Sequence, residues 1–232
     1  MPELPPYESR HGFEKERNSV LVSGVARSGS TVAWQVINLL NNGKVLKSHG
    51  FQDCCPTLFR FENVIITTRH PFDAYFSAKR VWGGDNNSLH VAESQWNDVG
   101  AFLLLKNFQE STGYRSDMNI TFLKYEDYWN KDSDRILFLS NTINKKVTDK
   151  KINEILLETS LGKNAEISKT GQTTTSKRDD SYSAVLPRVH LSHVGEKRGI
   201  PGQGSLLGRD VKEKILKKME WVFDEFEYDK TI

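Results

Sequence analysis

The chain has 232 residues, and its 32 lysine and arginine residues are nearly balanced by 30 aspartate and glutamate residues, which gives a formal net charge of +2. This length is sufficient for one sizeable α/β domain with a buried core. The near-neutral balance argues against a nucleic-acid-binding protein, which normally carries a clear basic excess.

Cysteine usage and hydropathy bear on the compartment. Cys54 and Cys55 are adjacent and cannot link distant parts of a fold, so free thiols in a reducing compartment are the expected state. The amino-terminal segment has no apolar stretch of signal-peptide length, and no stretch of the chain approaches about 18 apolar residues. We therefore expect a cytoplasmic protein without a membrane span.

Apolar runs alternate with segments of helical periodicity along most of the chain. Residues 1–17 are polar, contain three prolines and are predicted to form a surface arm before a single domain over 18–232. Strands are predicted at 18–26, 45–49, 63–69 and 119–125. Helices are predicted at 30–40, 71–82, 88–111 with an interruption near Gly100, 132–144, 148–160 and 209–226.

This alternation predicts a three-layer α/β fold, in which a mostly parallel, doubly wound sheet carries helices on both faces. In such sheets ligands gather at the carboxyl ends of the strands. The side chains that follow the predicted strands should therefore meet in one crevice; they are Arg27, Lys47, His49, Arg69, Tyr125 and Glu126.

A polar segment over 162–188 interrupts the predicted domain. It is rich in threonine, serine, lysine and aspartate, and it contains few apolar residues. Such a long segment without predicted structure is unusual inside a compact domain. Disorder and a mobile lid over a substrate are both open interpretations of it.

The loop after the first predicted strand is typical of a phosphate-binding site. Gly24 and Gly29 have the spacing of a Walker A loop, but Ser30 stands where that motif has lysine, and the nearest cation is Arg27. Glycines let a backbone fold closely around a phosphate, and a helix amino terminus adds N–H donors and the positive end of its dipole. The loop therefore predicts a phosphate ester as ligand, without ordinary Mg–ATP chemistry.

Five segments resemble, in the same order, motifs of sulfotransferases that use 3′-phosphoadenosine 5′-phosphosulfate (PAPS). Arg27–Thr31 is similar to the 5′-phosphosulfate loop [KR]-[ST]-G-[ST]-T, and Lys47–His49 is similar to K-T-H of the cytosolic enzymes. Arg69–Ser77 resembles the 3′-phosphate motif R-x-P-x-D-x-x-x-S, and Tyr125–Asp127 resembles Y-E-D. Lys197–Gly199, followed by Gly202, resembles the late R-K-G-x-x-G loop. The resemblance implies a P-loop nucleoside-triphosphate-hydrolase-like sulfotransferase fold.

The resemblance also implies an activity, transfer of a sulfuryl group from PAPS to an acceptor hydroxyl, which gives a sulfate ester and adenosine 3′,5′-bisphosphate without a metal. His49 would act as general base, with Glu126 as the reserve candidate. Arg27 and Lys47 would stabilise the charge that develops on the bridging oxygen. The implied nucleotide-binding residues are Arg27, Ser28, Gly29, Ser30, Thr31, Arg69, Ser77, Tyr125, Lys197, Arg198 and Gly199.

The chemistry of the residues agrees with two separate anion sites. Arg69 and Ser77 are eight residues apart, at a strand end and on the second turn of the next helix, so they can reach one phosphate together. The Walker lysine and Mg²⁺ serve a β,γ-phosphate bridge that PAPS lacks, which explains Ser30.

Other features depart from the family pattern or leave alternatives open. Val32 stands where cytosolic sulfotransferases have the tryptophan that packs on adenine, and Trp34 is about 200° away around the helix, so it is expected to face elsewhere. A small molecule, glycan, lipid or peptide could supply the acceptor hydroxyl. A P-loop small-molecule kinase and a non-catalytic nucleotide-binding protein on this fold are the alternative functions. The sequence does not predict the oligomeric state.

Overall fold

A computed structural model of the chain describes residues 20–25, 27–43, 45–48, 50–51, 58, 61–129, 132–160 and 200–232. Four strands form one sheet in the order β2-β1-β3-β4, and every neighbouring pair is parallel. This confirms the predicted parallel α/β sheet. The strands are β1 (Val20–Gly24), β2 (Val45–Lys47), β3 (Asn63–Thr68) and β4 (Asn119–Lys124).

Seven α-helices surround this sheet within the described residues, and a 3-10 helix at Gln203–Leu206 precedes the last of them. The predicted arm at 1–17 and the polar segment at 162–188 lie outside the described residues. No described helix is both long and apolar enough to cross a membrane. The helices are α1 (Ser30–Leu40), α2 (Pro71–Trp82), α3 (Asp85–Thr112), α4 (Tyr125–Tyr128), α5 (Asp132–Thr142), α6 (Asp149–Glu158) and α7 (Arg209–Glu225).

The sheet separates two apolar cores, as the alternation of side chains along each strand requires. Leu21 of β1 faces the core built with α2, α3 and α7, whereas Val20 and Val22 face the core built with α1, α5 and α6. In β3, Ile66 and Ile65 divide between the same two cores. Because both faces are covered, β1 and β3 contain the unbroken apolar runs Val20–Val22 and Val64–Ile66, as is typical of parallel sheets.

The strand register brings the carboxyl ends of the strands to one edge of the sheet. Gly24 of β1 pairs with Thr67 of β3, and Thr68 pairs with Lys124 of β4. Lys47, the last residue of β2, pairs with Val22. The polar segments that follow the strands therefore start from neighbouring points.

Two local predictions were wrong. Helix α3 continues without a break through Gly100, because a Cβ there would lie 3.3 Å from the Trp221 ring of α7, so the glycine serves close helix packing. Tyr125 begins the short helix α4 instead of ending β4, with Trp129 N–H donating to its carbonyl oxygen. Helix α7 forms where the sequence predicts a helix, at 209–226, and it is kinked at Met219, where φ is −128°.

Candidate functional site

The loop between β1 and α1 is fixed against β3 by hydroxyl groups. Thr67 Oγ1 donates to the carbonyl oxygen of Ser23 at 3.2 Å, so the 2.6 Å contact between Ser28 Oγ and Thr67 Oγ1 has Ser28 as donor. The backbone N–H of Ser28 donates to Val25 O at 3.1 Å. Both donors of Ser28 are thus bonded within the protein, and the predicted phosphate-loop residue holds the loop in place.

Gly29 allows two aromatic side chains to pack beneath the loop. Its φ is +77°, and a Cβ there would lie 2.2 Å from Tyr125 Cδ2. The Tyr128 hydroxyl donates to the carbonyl oxygen of Ser28 at 3.0 Å from a fully buried position. Only glycine satisfies both the left-handed backbone and this close approach.

Arg27 extends from this loop to α2. Its Nε donates to Ser77 Oγ at 2.8 Å, although the two residues are 50 positions apart in the sequence. The backbone of Arg27 has φ of +70°, a conformation that non-glycine residues rarely adopt and that is found disproportionately at functional sites. The cation of the first predicted phosphate motif and the serine of the second therefore meet at one place.

Lys47 brings the end of β2 to the start of α1. Its Nζ donates to Thr31 Oγ1 at 2.6 Å. Burial lowers the pKa of the Lys47 ammonium to about 8, because a charged group loses hydration there. A second predicted cation thus lies beside a hydroxyl in the first turn of α1.

Arg69 is more deeply enclosed than the sequence predicts, with 2 % of its surface exposed. Its Nη1 donates to the carbonyl oxygen of Arg27, and its Nη2 donates to that of Ile200, each at 3.1 Å. The guanidinium also lies 4.8 Å from the centre of the Tyr125 ring. Arg69 therefore joins the β1–α1 loop, the start of α2 and the segment that begins at Ile200.

Asp73 is a residue whose role sequence reasoning missed. Its carboxylate accepts bonds from the backbone N–H groups of Gly202 at 2.6 Å and Gly204 at 2.5 Å, with 3 % of the residue exposed. The signal was an acidic residue in the first turn of α2, but its partners are about 130 positions away. Asp73 thus fixes the segment after Ile200 beside Arg69.

Tyr125 and Glu126 directly follow β4, as the first two residues of α4. The Tyr125 ring is located between Gly29 and Arg69, and burial raises the pKa of its hydroxyl to about 12. The carboxylate of Glu126 accepts a bond from His70 N–H at 2.9 Å, and burial raises its pKa. Glu126 therefore supports the turn between β3 and α2.

The structure describes some of the remaining predicted residues and leaves others outside the described ranges. Ser30 is buried at the start of α1. Trp34 is buried in the core, where its Nε1 donates to Val45 O at 3.1 Å. His49, Lys197, Arg198 and Gly199 lie outside the described residues.

The arrangement as a whole is suited to anions. Three cations come from three strand ends: Arg27 donates to the Ser77 hydroxyl of α2, Lys47 donates to the Thr31 hydroxyl of α1, and Arg69 donates to the carbonyl oxygen of Arg27. Arginine, lysine and hydroxyl donors are the groups that bind phosphate and sulfate oxygens. In the described parts of the chain, no group of three or more His, Cys, Asp or Glu side chains is placed to hold a metal.

Solved structures with the same fold include a sulfotransferase and retinol dehydratase. A mouse sulfotransferase, SULT7A1, complexed with PAP, has a TM-score of 0.57 and 11% identity over 94% of this chain and 91% of its own. Retinol dehydratase with androsterone and inactive cofactor PAP has a TM-score of 0.54 and 12% identity over 88% and 80% of the two chains. Its complex with retinol and PAP has a TM-score of 0.54 and 11% identity over 91% and 83%.

No protein-family model matches the chain, and no curated protein matches its sequence. The likeness to the solved structures therefore shows the fold alone. At that level the predicted sulfotransferase fold is confirmed, and it covers nearly the whole chain.

Proposed function

We propose that the chain is a sulfotransferase, which transfers a sulfuryl group from PAPS to an acceptor hydroxyl and releases adenosine 3′,5′-bisphosphate (PAP). The observation that carries this proposal is the 2.8 Å contact between Arg27 Nε and Ser77 Oγ, which joins two predicted anion motifs in one place. A sulfotransferase fold supports the proposal, because three neighbouring structures were solved with PAP.

The 5′ end of the nucleotide is assigned to the loop after β1. Arg27 and Lys47 supply positive charge, while Thr31 supplies a hydroxyl beside Lys47 at the positive end of the α1 dipole. Cations fixed in advance where charge develops lower the barrier most when they do not have to reorganise. The bonds of Ser28 and Tyr128 beneath the loop provide that fixation.

The 3′-phosphate is assigned to the other side of Arg27, where Arg69 and Ser77 lie. Ser77 is buried and within hydrogen-bond distance of Arg27, while Arg69 binds the carbonyl oxygen of Arg27. Lys197, Arg198 and Gly199 directly precede Ile200 in the sequence and are proposed to complete this site. The two proposed anion sites therefore adjoin at Arg27, which belongs to the first loop and whose carbonyl oxygen accepts a bond from Arg69.

The acceptor is proposed to be the hydroxyl of an apolar small molecule. Phe51, four residues after the end of β2, packs edge-on against Phe102 of α3 with ring centres 4.9 Å apart. Solved neighbours of this fold contain androsterone or retinol. His49, two residues before Phe51, is proposed to remove the proton from the attacking hydroxyl.

The direct test is transfer of label from ³⁵S-PAPS to a panel of apolar alcohols and phenols. We expect labelled sulfate ester to form without added metal and to depend on Arg27. Replacement of PAPS by γ-³²P-ATP with Mg²⁺ should give no labelled product. Phosphoryl transfer in that arm would favour the kinase alternative, and tight PAP binding without transfer to any acceptor would favour a non-catalytic protein.

A further inference from the structure

Two charged residues one helical turn apart hold the segment Ile200–Gly204 to the start of α2. Arg69 Nη2 donates to Ile200 O at 3.1 Å, and the Asp73 carboxylate accepts bonds from the N–H groups of Gly202 and Gly204. Asp73 Oδ2 also lies 3.9 Å from Arg69 Nη2. Three backbone groups within five residues are thus bound by this pair, which we name the Arg69–Asp73 clamp.

The fit of the clamp depends on the absence of a side chain at Gly204. A Cβ there would lie 2.5 Å from Phe72 Cβ and 2.8 Å from Asp73 N, distances that real contacts do not reach. Gly202 adopts φ of +88°, which aims its N–H at Asp73 in a conformation that glycine adopts without strain. The sequence of this segment is therefore adapted to the carboxylate.

We propose that Asp73 is a positioning residue that makes nucleotide binding depend on the 3′-phosphate, although it does not touch the ligand itself. Its carboxylate holds Arg69 on one side and the Ile200–Gly204 segment on the other. Arg69 in turn donates to the carbonyl oxygen of Arg27, whose Nε donates to Ser77. Loss of the clamp releases Arg69 and the Ile200–Gly204 segment. The loop after β1, to which the 5′ end of the nucleotide is assigned, loses one contact of Arg69 but keeps the hydrogen bonds of Ser28 and Tyr128 beneath it, so binding of the 5′ end should change far less.

The test compares binding of PAP and adenosine 5′-monophosphate, which lacks the 3′-phosphate, in matched variants. Asp73→Asn keeps the size of the side chain and removes its charge and one acceptor oxygen. Gly204→Ala breaks the clamp from the other side and keeps the carboxylate. Asp210→Asn, an exposed acid in the first turn of α7, is the control.

We expect both clamp variants to weaken PAP binding about tenfold or more and to leave binding of the monophosphate within about twofold, because only PAP carries the phosphate that Arg69 is proposed to bind. Asp210→Asn should leave both affinities unchanged. Equal weakening of the two nucleotides, or unchanged discrimination, would overturn the role of Asp73.

Because this inference rests on the proposed function, the wild-type protein separates the two. If wild type binds PAP no more tightly than the monophosphate, the two-phosphate site and the role of Asp73 both fail. If wild type prefers PAP and the clamp variants keep the same preference, the role of Asp73 alone fails. Hydrogen exchange without nucleotide gives a second readout. Asp73→Asn should speed exchange of the Gly202 and Gly204 amides at least tenfold, and unchanged exchange would contradict the clamp.

Discussion

Two strand-to-helix turns lie side by side at the same edge of the sheet, and they are built in opposite ways. The turn from β1 to α1 is held from below by Ser28, Tyr125 and Tyr128, so that Arg27 reaches out to another element. The turn from β3 to α2 instead buries its own charges, Arg69 and Asp73, against a distant segment. The same strand-to-helix connection therefore serves two purposes. The first turn presents the cation of Arg27, and the second holds the distant Ile200–Gly204 segment in place through Arg69 and Asp73.

The largest expected effect follows from removing the presented cation. Arg27→Ala should lower kcat for sulfuryl transfer about 10²- to 10³-fold, because a fixed donor at the site of developing charge is lost. The measurement is transfer from ³⁵S-PAPS at saturating acceptor. Arg209→Ala, which removes an exposed arginine of α7, should leave kcat unchanged. An Arg27→Ala enzyme as active as wild type would show that this loop does not present the catalytic cation.

Support of the first turn from below is tested at Gly29. Gly29→Ala should reduce the free energy of unfolding by about 3 kcal/mol, since the methyl group both strains a left-handed backbone and meets the Tyr125 ring. Gly43→Ala is the matched control, because Gly43 has φ of +83° and an added methyl group there would have no atom within 4 Å. Its expected cost is about 1 kcal/mol, because only the left-handed backbone is strained there. If Gly29→Ala and Gly43→Ala lowered the free energy of unfolding in urea by the same amount, close packing of Tyr125 against Gly29 would not explain the requirement for glycine.

The hydroxyl groups of two tyrosines sharpen the contrast between the turns. Tyr128→Phe leaves the buried Ser28 carbonyl without its donor, which should cost about 2 kcal/mol of unfolding free energy. Tyr228→Phe removes a bond to Thr68 Oγ1, but that hydroxyl still donates to Leu123 O, so about 1 kcal/mol is expected. Chemical denaturation measures both free energies of unfolding. A larger loss for Tyr228→Phe than for Tyr128→Phe would contradict the claim that the Tyr128 hydroxyl is the more important of the two.

The smallest expected effect concerns the pH dependence of Lys47. Because its pKa is lowered to about 8, its positive charge is lost as the pH rises through that value, whereas an ordinary lysine stays charged until about 10.4. If this charge assists transfer, kcat/KM should fall about fourfold between pH 7 and 8.5. Lys47→Arg keeps its charge over this range and should remove the decline. A decline that persists in Lys47→Arg would assign it to another group.

Sequence patterns were sufficient for the parts of the fold that local chemistry determines. Helix α1 begins at Ser30 and ends at Leu40, as the predicted helix at 30–40 does, and the apolar runs locate the strands. Gly100 was misread as a break because its partner, Trp221, lies on a helix far away in the sequence. Propensity describes what a residue prefers alone, and close packing can override it.

The candidate site was predicted as a set of residues but not as a set of contacts. Topology alone places Arg27, Lys47 and Arg69 at one edge. The burial of Arg69 and the role of Asp73 depend on Ile200, Gly202 and Gly204, which are more than 120 positions away. Contacts of that kind leave no periodic signal in the sequence.

The most direct test of the two-phosphate site is calorimetric titration of the wild-type protein with PAP, adenosine 5′-monophosphate, adenosine 3′-monophosphate and ATP with Mg²⁺. Two separate anion sites predict that PAP binds at least tenfold more tightly than either monophosphate, and that ATP with Mg²⁺ binds more weakly than PAP. Tighter binding of ATP with Mg²⁺ than of PAP would contradict the site and the proposed activity together.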